Sequence, residues 1–466
     1  MAFSVKQMVD SRRSENYELH EKYINPQFVK VLRTIGFDRG YIKGEGAFLY
    51  DANGQRFYDF LSGYGVFNMG RNHPVIKNAI KEMIDEPAAH LVQMDCSVYA
   101  GLLAEELIKL CPSNIGKVYF TNSGTEAVET AIKFARGATR RSRIIHCDKA
   151  FHGLSMGSLS INGDNHFREG FGDLLPGTTK IPFNDLSALE KELSSKDVAA
   201  FIVEPIQGKG VNIPDSNYLP EAQKLCKKYG TLFVIDEIQT GLGRTGKLFA
   251  FEHWGVEPDI ITIAKALSGG YIPVGAALYT NDIYNKIFTR MDRSVVHSST
   301  FKQNYLAMSA GLASLHVIKE EKLIENAEKM GNLFLEKLKP IQEKFELFKS
   351  VRGKGLMIAL EFADPKSIKL KVAWKVIQAA QKGLFAQMVV MPLLEKHKIL
   401  TQVAGHEVDV VKLLPPLVIT ENEVDYFVKA LDNVLIDCHK FPGAIWDFGS
   451  SLVKHALKDK KQKVAN

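Results

Sequence analysis

The sequence Asp-Ile-Ile-Thr-Ile-Ala-Lys-Ala-Leu-Ser-Gly-Gly-Tyr-Ile-Pro-Val-Gly, residues 259–275, places a lysine between an apolar run and two glycines. Three isoleucines within four residues predict a strand covered on both faces, so Lys265 at its end meets a crevice and not bulk water. Burial lowers the pKa of an amine and makes it nucleophilic near neutral pH, as Schiff-base chemistry requires. A lysine whose stem packs on the protein while its ammonium reaches water fits this segment equally well.

Composition narrows the class of protein. The 466 residues are 45% hydrophobic and 24% charged, which is typical of a globular protein too long for a single core. The apolar runs are shorter than a membrane span, and residues 1–13 lack the apolar stretch of a signal peptide, so we expect a cytoplasmic protein. The five cysteines form no Cys-x-x-Cys pair, which argues against a disulfide framework or a metal site. The net charge of +6 owes much to a lysine-rich C-terminal stretch, and the pattern does not predict nucleic-acid binding.

The order of apolar runs predicts an α/β fold with a mostly parallel sheet. Strand patterns alternate with helical patterns in the middle of the chain. In open sheets of this kind ligands bind at the carboxyl ends of the strands, where Lys265 also lies. We expect strands at residues 118–122, 143–147, 199–204, 232–237, 259–263 and 274–279, and helices at 124–138 and 219–229.

Both ends of the chain differ from this middle region. Residues 47–57 include Asn53-Gly54 and predict a hairpin, and the chain after residue 322 mixes helical and strand patterns. We therefore expect a large domain at residues 70–322. Residues 1–69 and 323–466 together would form one smaller α+β domain, with a basic C-terminal extension.

Distinctive residues follow several of the predicted strands. Ser123-Gly124-Thr125 begins a helix after the first strand, an arrangement that binds phosphate, although a simple helix cap has the same sequence. Asp236 ends an apolar strand and needs a partner, which a pyridinium N–H or the next loop could supply. Phe151 could stack on a flat cofactor or fill the core. An amine nucleophile, a phosphate cup, a buried carboxylate and an aromatic are together what pyridoxal phosphate (PLP) requires.

In this combination the sequence resembles the class III aminotransferases of PLP fold type I, which include ornithine, acetylornithine, 4-aminobutyrate and putrescine aminotransferases. The resemblance runs from about residue 30 to about residue 435. The matching motifs are Asp59-Phe60-Leu61-Ser62-Gly63, Asn122-Ser123-Gly124-Thr125-Glu126-Ala127, Phe151-His152-Gly153, Glu204-Pro205-Ile206-Gln207-Gly208, Asp236-Glu237-Ile238-Gln239-Thr240-Gly241 and the lysine segment quoted above.

The resemblance implies a role for each matching position. Lys265 would hold PLP as an internal aldimine and then move the proton between substrate and cofactor, and Asp236 would pair with the pyridinium nitrogen. Gln239 would contact the ring hydroxyl and Phe151 would stack on the ring. Thr300 would reach the phosphate of the neighbouring subunit's cofactor, which implies a homodimer with shared active sites. The implied cofactor-binding residues are Ser123, Gly124, Thr125, Phe151, His152, Glu204, Asp236, Gln239, Lys265 and Thr300.

Two lysines depart from the family pattern. Members that act on α-amino acids place a glutamate at the position of Lys209 and a carboxylate-binding arginine at that of Lys412. Two ammonium groups facing the site without that glutamate would repel each other, and lysine lacks the planar two-pronged grip of arginine. We therefore expect a terminal amine as the preferred amino partner, with a keto acid or aldehyde opposite it. Tyr64 and Phe67 are further candidates for the substrate channel, with structural packing as the alternative.

Three other functions fit parts of the sequence. The run at residues 398–406 resembles a biosynthetic branch that aminates large lipid-like or specialised-metabolite aldehydes with an amino-acid donor. Residues 241–246 match the Gly-x-Gly-x-x-Gly fingerprint of an NAD-dependent oxidoreductase, but Gly255 and Pro258 shorten the helix that it requires. A non-catalytic PLP-fold binding protein would need neither Lys265 nor the carboxylate at the end of its strand.

The C-terminal residues 441–466 lie beyond the family match. Their apolar residues recur at helical spacing and lysines follow, a pattern that suits a helix on an anionic membrane surface. A helix packed on the protein with a solvated basic tail is the interpretation that we favour.

Overall fold

The computed structural model describes residues 3–440, 442–443, 445–446 and 449, and the fold is given for these residues. The strands are β1 Tyr41–Glu45, β2 Phe48–Asp51, β3 Arg56–Asp59, β4 Ile115–Thr121, β5 Arg143–Cys147, β6 Thr178–Ile181, β7 Val198–Val203, β8 Leu232–Asp236, β9 Ile260–Ile263, β10 Gly275–Thr280, β11 Phe348–Lys354, β12 Met357–Phe362, β13 Ile399–Leu400, β14 Gln402–Val403 and β15 Val410–Leu413.

The helices surround these strands. They are α1 Val5–Arg12, α2 Asn16–Tyr23, α3 Pro26–Thr34, α4 Ser62–Gly65, α5 Pro74–Asp85, α6 Val98–Lys109, α7 Gly124–Thr139, α8 Met156–Ser160, α9 Leu186–Leu193, α10 Tyr218–Tyr229, α11 Asn281–Ile287, α12 Tyr305–Glu320, α13 Leu323–Lys344, α14 Ile368–Ala380, α15 Leu384–Glu395 and α16 Glu421–Cys438.

A seven-stranded sheet forms the centre of the molecule, in the order β4-β10-β9-β8-β7-β5-β6. Neighbours from β9 to β6 pair in parallel, whereas β10 is antiparallel to both β9 and β4. Every residue of β7 and β9 is buried, because both faces of the sheet are covered. The α/β prediction is confirmed, and all six predicted strands end within one residue of an observed strand end.

Two smaller sheets flank the centre. The predicted hairpin is present as antiparallel β2 and β3, and β13 from the C-terminal region pairs in parallel with β3. The third sheet has the order β11-β12-β15-β14. Residues from both chain ends therefore share one sheet, while the domain boundaries at residues 69 and 322 stay a prediction.

The glycine-rich turn at residues 241–246 connects the central sheet to segments from both ends of the chain. The side chain of Arg244 is fully buried and donates hydrogen bonds to the carbonyl oxygens of Leu356 and Pro415 and to Oδ1 of Asn68. A short 3₁₀ helix, Ala250–Trp254, follows where the dinucleotide fingerprint requires a long α-helix. The turn is thus a structural junction, which removes the basis of the NAD-dependent alternative.

The predicted C-terminal helix lies largely outside the described residues. Of its residues, Ile445 and Trp446 are buried, and the indole N–H of Trp446 donates to the carbonyl oxygen of Cys438. None of the helices in the described part of the chain is long and apolar enough to cross a membrane.

Candidate active site

A cavity of about 830 Å³ lies at the edge of the central sheet where its parallel strands end. Loops after β4, β5, β7, β8 and β9 line one side of it, and residues of β14 and β15 with the loop between them line the other. The lining residues include Tyr64, Ser123, Gly124, Thr125, Phe151, His152, Glu204, Lys209, Asp236, Gln239, Lys265 and Lys412.

Lys265 stands directly after Ala264 at the end of β9 and lines this cavity. Its φ of 43° lies in the left-handed region, a costly backbone conformation for a non-glycine residue that often marks a functional position. The ammonium group makes no hydrogen bond or ion pair to any residue that the structure describes. Burial lowers the pKa of Lys265, and the carboxylates of Asp236 and Glu204 oppose that shift. The side chain therefore meets the cavity, as the reactive-amine interpretation requires, and does not reach the outer surface.

Asp236 closes β8 with a carboxylate that is only 3% exposed. Its Oδ1 accepts from the N–H of Ile238 at 3.0 Å and from the hydroxyl of Thr262 at 3.1 Å. Its Oδ2 lies 2.7 Å from Nδ1 of His152. Burial works to lower the pKa of His152, but the hydrogen bond and the charge of Asp236 outweigh it and raise that pKa. The carboxylate is thus held in place, and the buried Nε2 of His152 has no hydrogen-bond partner among the described residues.

The N-terminus of α7, which follows β4, also lines the cavity. Ser123 caps the helix, since its hydroxyl accepts from the N–H of Glu126, and the N–H groups of Gly124 and Thr125 then belong to the turn that has no intrahelical acceptors. A Cβ on Gly124 would lie 2.9 Å from Ile238, and one on Gly153 would lie 2.4 Å from the Thr125 hydroxyl. Close packing therefore requires glycine at both positions, as a phosphate-binding turn would.

Hydroxyl groups from a second helix support this turn. The Thr125 hydroxyl lies 2.7 Å from that of Ser155 and 2.6 Å from that of Ser158, and both serines also contact Glu129. None of these three residues was predicted, because a serine at the start of a short helix or within it, and a glutamate on a long helix, give no distinct signal in the sequence.

Glu204 connects the loop after β5 to the loop after β7. Its two carboxylate oxygens accept from the backbone N–H groups of Phe151, at 3.0 Å, and Gly208, at 2.7 Å. Burial raises the pKa of this carboxyl, while the charge of His152 and these N–H groups work the other way. The bond to Phe151 holds the ring of that residue at the cavity wall, where it also meets Phe167 edge-on at 5.4 Å.

Lys412 projects from β15 and is 5% exposed. Its Nζ donates to the carbonyl oxygen of Gly208 at 2.7 Å and to Oε1 of Gln239 at 3.2 Å. Gln239 in turn donates from Nε2 to the carbonyl oxygen of Tyr64 at 3.0 Å. Burial lowers the pKa of Lys412 to about 7, and the positive charge of Lys265 adds to that effect.

Lys209 and Lys412 both line the cavity, as expected, but the expectation that Lys209 has no counter-ion is wrong. Lys209 Nζ lies 2.8 Å from Oδ2 of Asp164 and 4.0 Å from the ring centroid of Phe167. The loop that contains Asp164 precedes β6 of the central sheet. Its carboxylate is the counter-ion of Lys209, so the site contains a carboxylate although the family's glutamate is absent. No local pattern pointed to Asp164, because it lies 45 residues from the lysine that it meets.

Three further candidates occupy different positions. Tyr64 lines the cavity and is 57% exposed. Phe67 lies outside the lining, packed against Gly270 with the guanidinium of Arg71 4.0 Å from its ring centroid. Thr300 is exposed on the single chain and also lies outside the lining. The structure thus brings together all the predicted site residues except Phe67 and Thr300.

The residues present fit PLP. The free amine of Lys265 suits its aldehyde, the buried carboxylate of Asp236 suits its ring nitrogen, and the α7 N-terminus suits its phosphate. No cluster of three or more His, Cys, Asp or Glu side chains in the described part of the chain could hold a metal ion.

Comparison with known proteins agrees with this geometry. Residues 36–435 match the aminotransferase class-III family. The acetylornithine aminotransferase of Bacillus cereus is 39% identical over 406 residues, which cover 86% of this chain and 95% of that protein. Aminotransferase PigE of a Serratia species is 34% identical over 464 residues, which cover 93% of this chain; the chain spans only 54% of PigE.

Solved structures give the same result. The ornithine aminotransferase of Toxoplasma gondii superposes with a TM-score of 0.81 at 28% identity, covering 94% of this chain and 99% of that one. An amine transaminase from an uncultivated Pseudomonas species, in its PLP-bound internal aldimine form, has a TM-score of 0.73 at 30% identity, covering 85% and 94%.

The fold and the site together define a PLP-dependent enzyme of fold type I. Within that class, the chain belongs to the class III aminotransferase family, and it is a PLP-dependent transaminase.

Proposed function

We propose that this transaminase takes its amino group from a terminal amine without an α-carboxylate and transfers it to a keto acid or aldehyde. The observation that favours this preference is the environment of Lys412. A single ammonium, tied to Gly208 and Gln239, occupies the position of the family's arginine. It offers a carboxylate one point charge and no planar fork, so an α-amino acid is held less firmly than in relatives with arginine.

Apolar side chains around the cavity support the same preference. A carboxylate-free amine gains free energy when its carbon chain leaves water, at about 0.8 kcal/mol per buried CH₂. Tyr64 stands exposed at the wall, where a long substrate would pass. The apolar lining includes Val66, Phe167, Ile238, Ile272, Val274 and Val403.

The roles proposed for the site residues follow from their positions. PLP, when bound, supplies an electron sink that stabilises negative charge on the substrate carbon. Lys265 would hold the cofactor covalently and then move the proton at that carbon, and Asp236 would keep the ring nitrogen protonated. Phe151 would cover one face of the ring, and the N-terminus of α7, at Ser123 and Thr125, would bind the phosphate.

A homodimer and a cytoplasmic location complete the proposal. Thr300 is exposed in the single chain, which suits a residue that acts in the neighbouring subunit's site. The proposed division assigns residues 70–322 to the cofactor-binding domain, and the chain ends to a smaller domain that contributes Lys412.

A large lipid-like or specialised-metabolite aldehyde, aminated by an amino-acid donor, is the second candidate. Four consecutive residues of the run at 398–406 line the cavity: Gln402, Val403, Ala404 and Gly405. The sequence feature that suggests this branch thus lies at the site itself.

The test is the first half-reaction of the purified PLP enzyme, followed by the loss of cofactor absorbance. Linear terminal amines of three to ten carbons would be compared with glutamate, alanine and ornithine. We expect higher kcat/KM for the amines. Faster reaction with an α-amino acid than with every amine would reject the proposed preference, and a long aldehyde accepted from an amino-acid donor would favour the second candidate.

A further inference from the structure

A transaminase that uses a carboxylate-free amine and a keto acid must accept both in the same cavity. A permanent positive charge suits the keto acid, but it would be buried without a partner when the apolar amine is bound, and such burial is costly. Lys412 is placed to meet this difficulty, since it is nearly buried and faces the cavity on which both substrates converge.

The hydrogen bonds of Lys412 are made to neutral acceptors. Its Nζ donates to the Gly208 carbonyl oxygen and to the Gln239 amide oxygen, and no carboxylate of the described residues lies within hydrogen-bond distance of it. An ammonium and a neutral amine can both donate to these two acceptors. Either protonation state therefore fits the same position.

The four charged groups around Lys412 come from three segments. Lys265 after β9, Arg244 in the turn after β8 and Lys209 after β7 disfavour its proton, whereas Glu204 favours it. On the two strands that pair with β15, the residues opposite Lys412 are the uncharged Ala359 and Gln402. Burial, the largest cause, and the neighbouring cations together lower the pKa of Lys412 to about 7, and an additional negative charge nearby would favour its proton.

We propose that Lys412 is a proton-switched carboxylate anchor, an inference that rests on the proposed function. When the keto acid binds, the lysine takes one proton from solvent and its ammonium pairs with the substrate carboxylate. When the carboxylate-free amine occupies the cavity, the proton returns to solvent and the neutral amine stays on Gly208 and Gln239. The family's arginine cannot lose its charge in this way.

Burial and the neighbouring cations support this switch, because they lower the pKa of Lys412. The pKa of Lys412 lies at about 7, so both states are populated near neutral pH. A carboxylate within about 4 to 6 Å shifts the pKa of such a group by roughly one to three units toward the charged form. Binding of a carboxylate is therefore coupled to uptake of up to one proton above pH 7.

Lys209 is the natural comparison, because it lines the same cavity but already has its own carboxylate. Its Nζ pairs with Asp164 at 2.8 Å. The counter-ion of Lys209 is therefore in place before any substrate enters the cavity. Lys209→Met is therefore the matched control for Lys412→Met.

The experiment is calorimetric titration of the PLP-loaded enzyme with glutarate, a dicarboxylate that has neither an amino nor a keto group. Measurements at pH 6, 7, 8 and 9 in two buffers of different ionisation enthalpy give the number of protons taken up. For the unaltered enzyme we expect uptake of a proton at pH 8 and an affinity that falls about tenfold per pH unit above pH 7.

Variants assign the proton to Lys412. Lys412→Arg should bind glutarate with little dependence on pH and without this proton, and Lys412→Met should bind it weakly at every pH. Lys209→Met should still take up a proton, with the uptake displaced to higher pH because one cation that disfavours the proton of Lys412 is lost. Protons exchanged by the cofactor itself are common to all variants and cancel in the comparison.

The possible results separate the two proposals. Uptake that persists in Lys412→Arg and Lys412→Met, uptake that disappears in Lys209→Met, or failure of glutarate to bind the unaltered enzyme at pH 6 would each overturn the switch. If the cofactor absorbance of the same preparation still responds to terminal amines, the proposed function survives that result. If it responds only to amino acids, the proposed function fails independently of the calorimetry.

Discussion

The cavity has two halves that are held together differently. The cofactor half is formed by Ser123, Thr125, Asp236 and Lys265, each of which lies within four residues of the end of a strand of the central sheet. The substrate half is formed by Lys209, Lys412 and residues 402–405, which come from separate segments of the chain. In the cofactor half a rigid sheet sets the geometry, whereas in the substrate half it depends on contacts between segments that meet only after folding.

The difference separates chemistry from specificity. Asp236 is held by three hydrogen bonds to neighbouring residues, which fix the position of its carboxylate. Lys412 is held by two neutral acceptors and its pKa lies at about 7, so its charge can follow the ligand. The reaction type is thus built into the rigid half, and substrate choice into the adjustable one.

The largest expected effect is on the cofactor half. Lys265→Ala should lower turnover by several orders of magnitude, about 10³-fold or more, because both the covalent link and the proton carrier are lost. Steady-state assays and the absorbance of the bound cofactor measure this. Lys209→Met, which removes a lysine from the other half, is the control; equal losses in the two variants would erase the distinction between the halves.

The second-largest effect is expected from Asp236→Asn, which should slow the chemical step. The neutral amide no longer favours a protonated ring nitrogen, and a loss of about two pKa units at that nitrogen corresponds to roughly a 100-fold slower half-reaction. Stopped-flow measurement of the half-reaction with a terminal amine tests it. Asp164→Asn changes a carboxylate of the substrate half and should slow the same step far less; a comparable loss there would contradict the assignment of Asp236.

In the substrate half, Lys412→Arg should increase the use of glutamate. A guanidinium adds a second charge-assisted hydrogen bond to a carboxylate, roughly 1 to 2 kcal/mol or about tenfold in kcat/KM for glutamate at pH 8. The half-reaction with a terminal amine should not improve. If glutamate use stays unchanged in this variant and in its combination with Lys209→Glu, then these lysines do not set specificity.

The smallest effect is expected from Lys209→Met. Burial of Asp164 works to raise its pKa, but the hydrogen bond from Lys209 outweighs this and lowers it. A depressed carboxyl pKa stabilises the fold above the unfolded value of about 3.9, and that contribution is lost as the pH falls through the folded pKa. We expect the free energy of unfolding of the variant to be lower than that of the unaltered enzyme by at most about 1 kcal/mol at pH 7, and this difference should shrink toward pH 3. Denaturant midpoints measure it. A deficit that grows on acidification would show that the pair does not contribute in this way.

Much of the fold and of the cofactor half could be predicted from the sequence. Apolar runs bounded by glycine and polar residues indicate buried strands, and their positions alone placed Lys265, Asp236 and Ser123 at strand ends on a common edge. The hairpin at residues 47–57 followed from its Asn53-Gly54 turn in the same way. These signals are local, because each depends on residues adjacent in the chain.

The substrate half could not be predicted, since its contacts span long stretches of chain. Lys412 meets Gly208 across 204 residues, and Lys209 meets Asp164 across 45. The sequence suggested two unpaired ammonium groups; the folded chain gave one a carboxylate and the other two neutral acceptors. Phe67 illustrates the same limit, because only packing against Gly270 shows that its ring lies outside the cavity.

The sequence by itself therefore indicated a PLP site, through a lysine, an aspartate and a helix N-terminus after buried strands, and its resemblance to the class III aminotransferases implied the reaction type. Only the tertiary structure decided which charges in that site are compensated. Burial and the identity of the nearest partner fix the protonation of a side chain, and both depend on segments that approach one another when the sheets assemble. For Lys412 the result is an amine whose pKa is lowered to about 7, which its position in the sequence does not reveal.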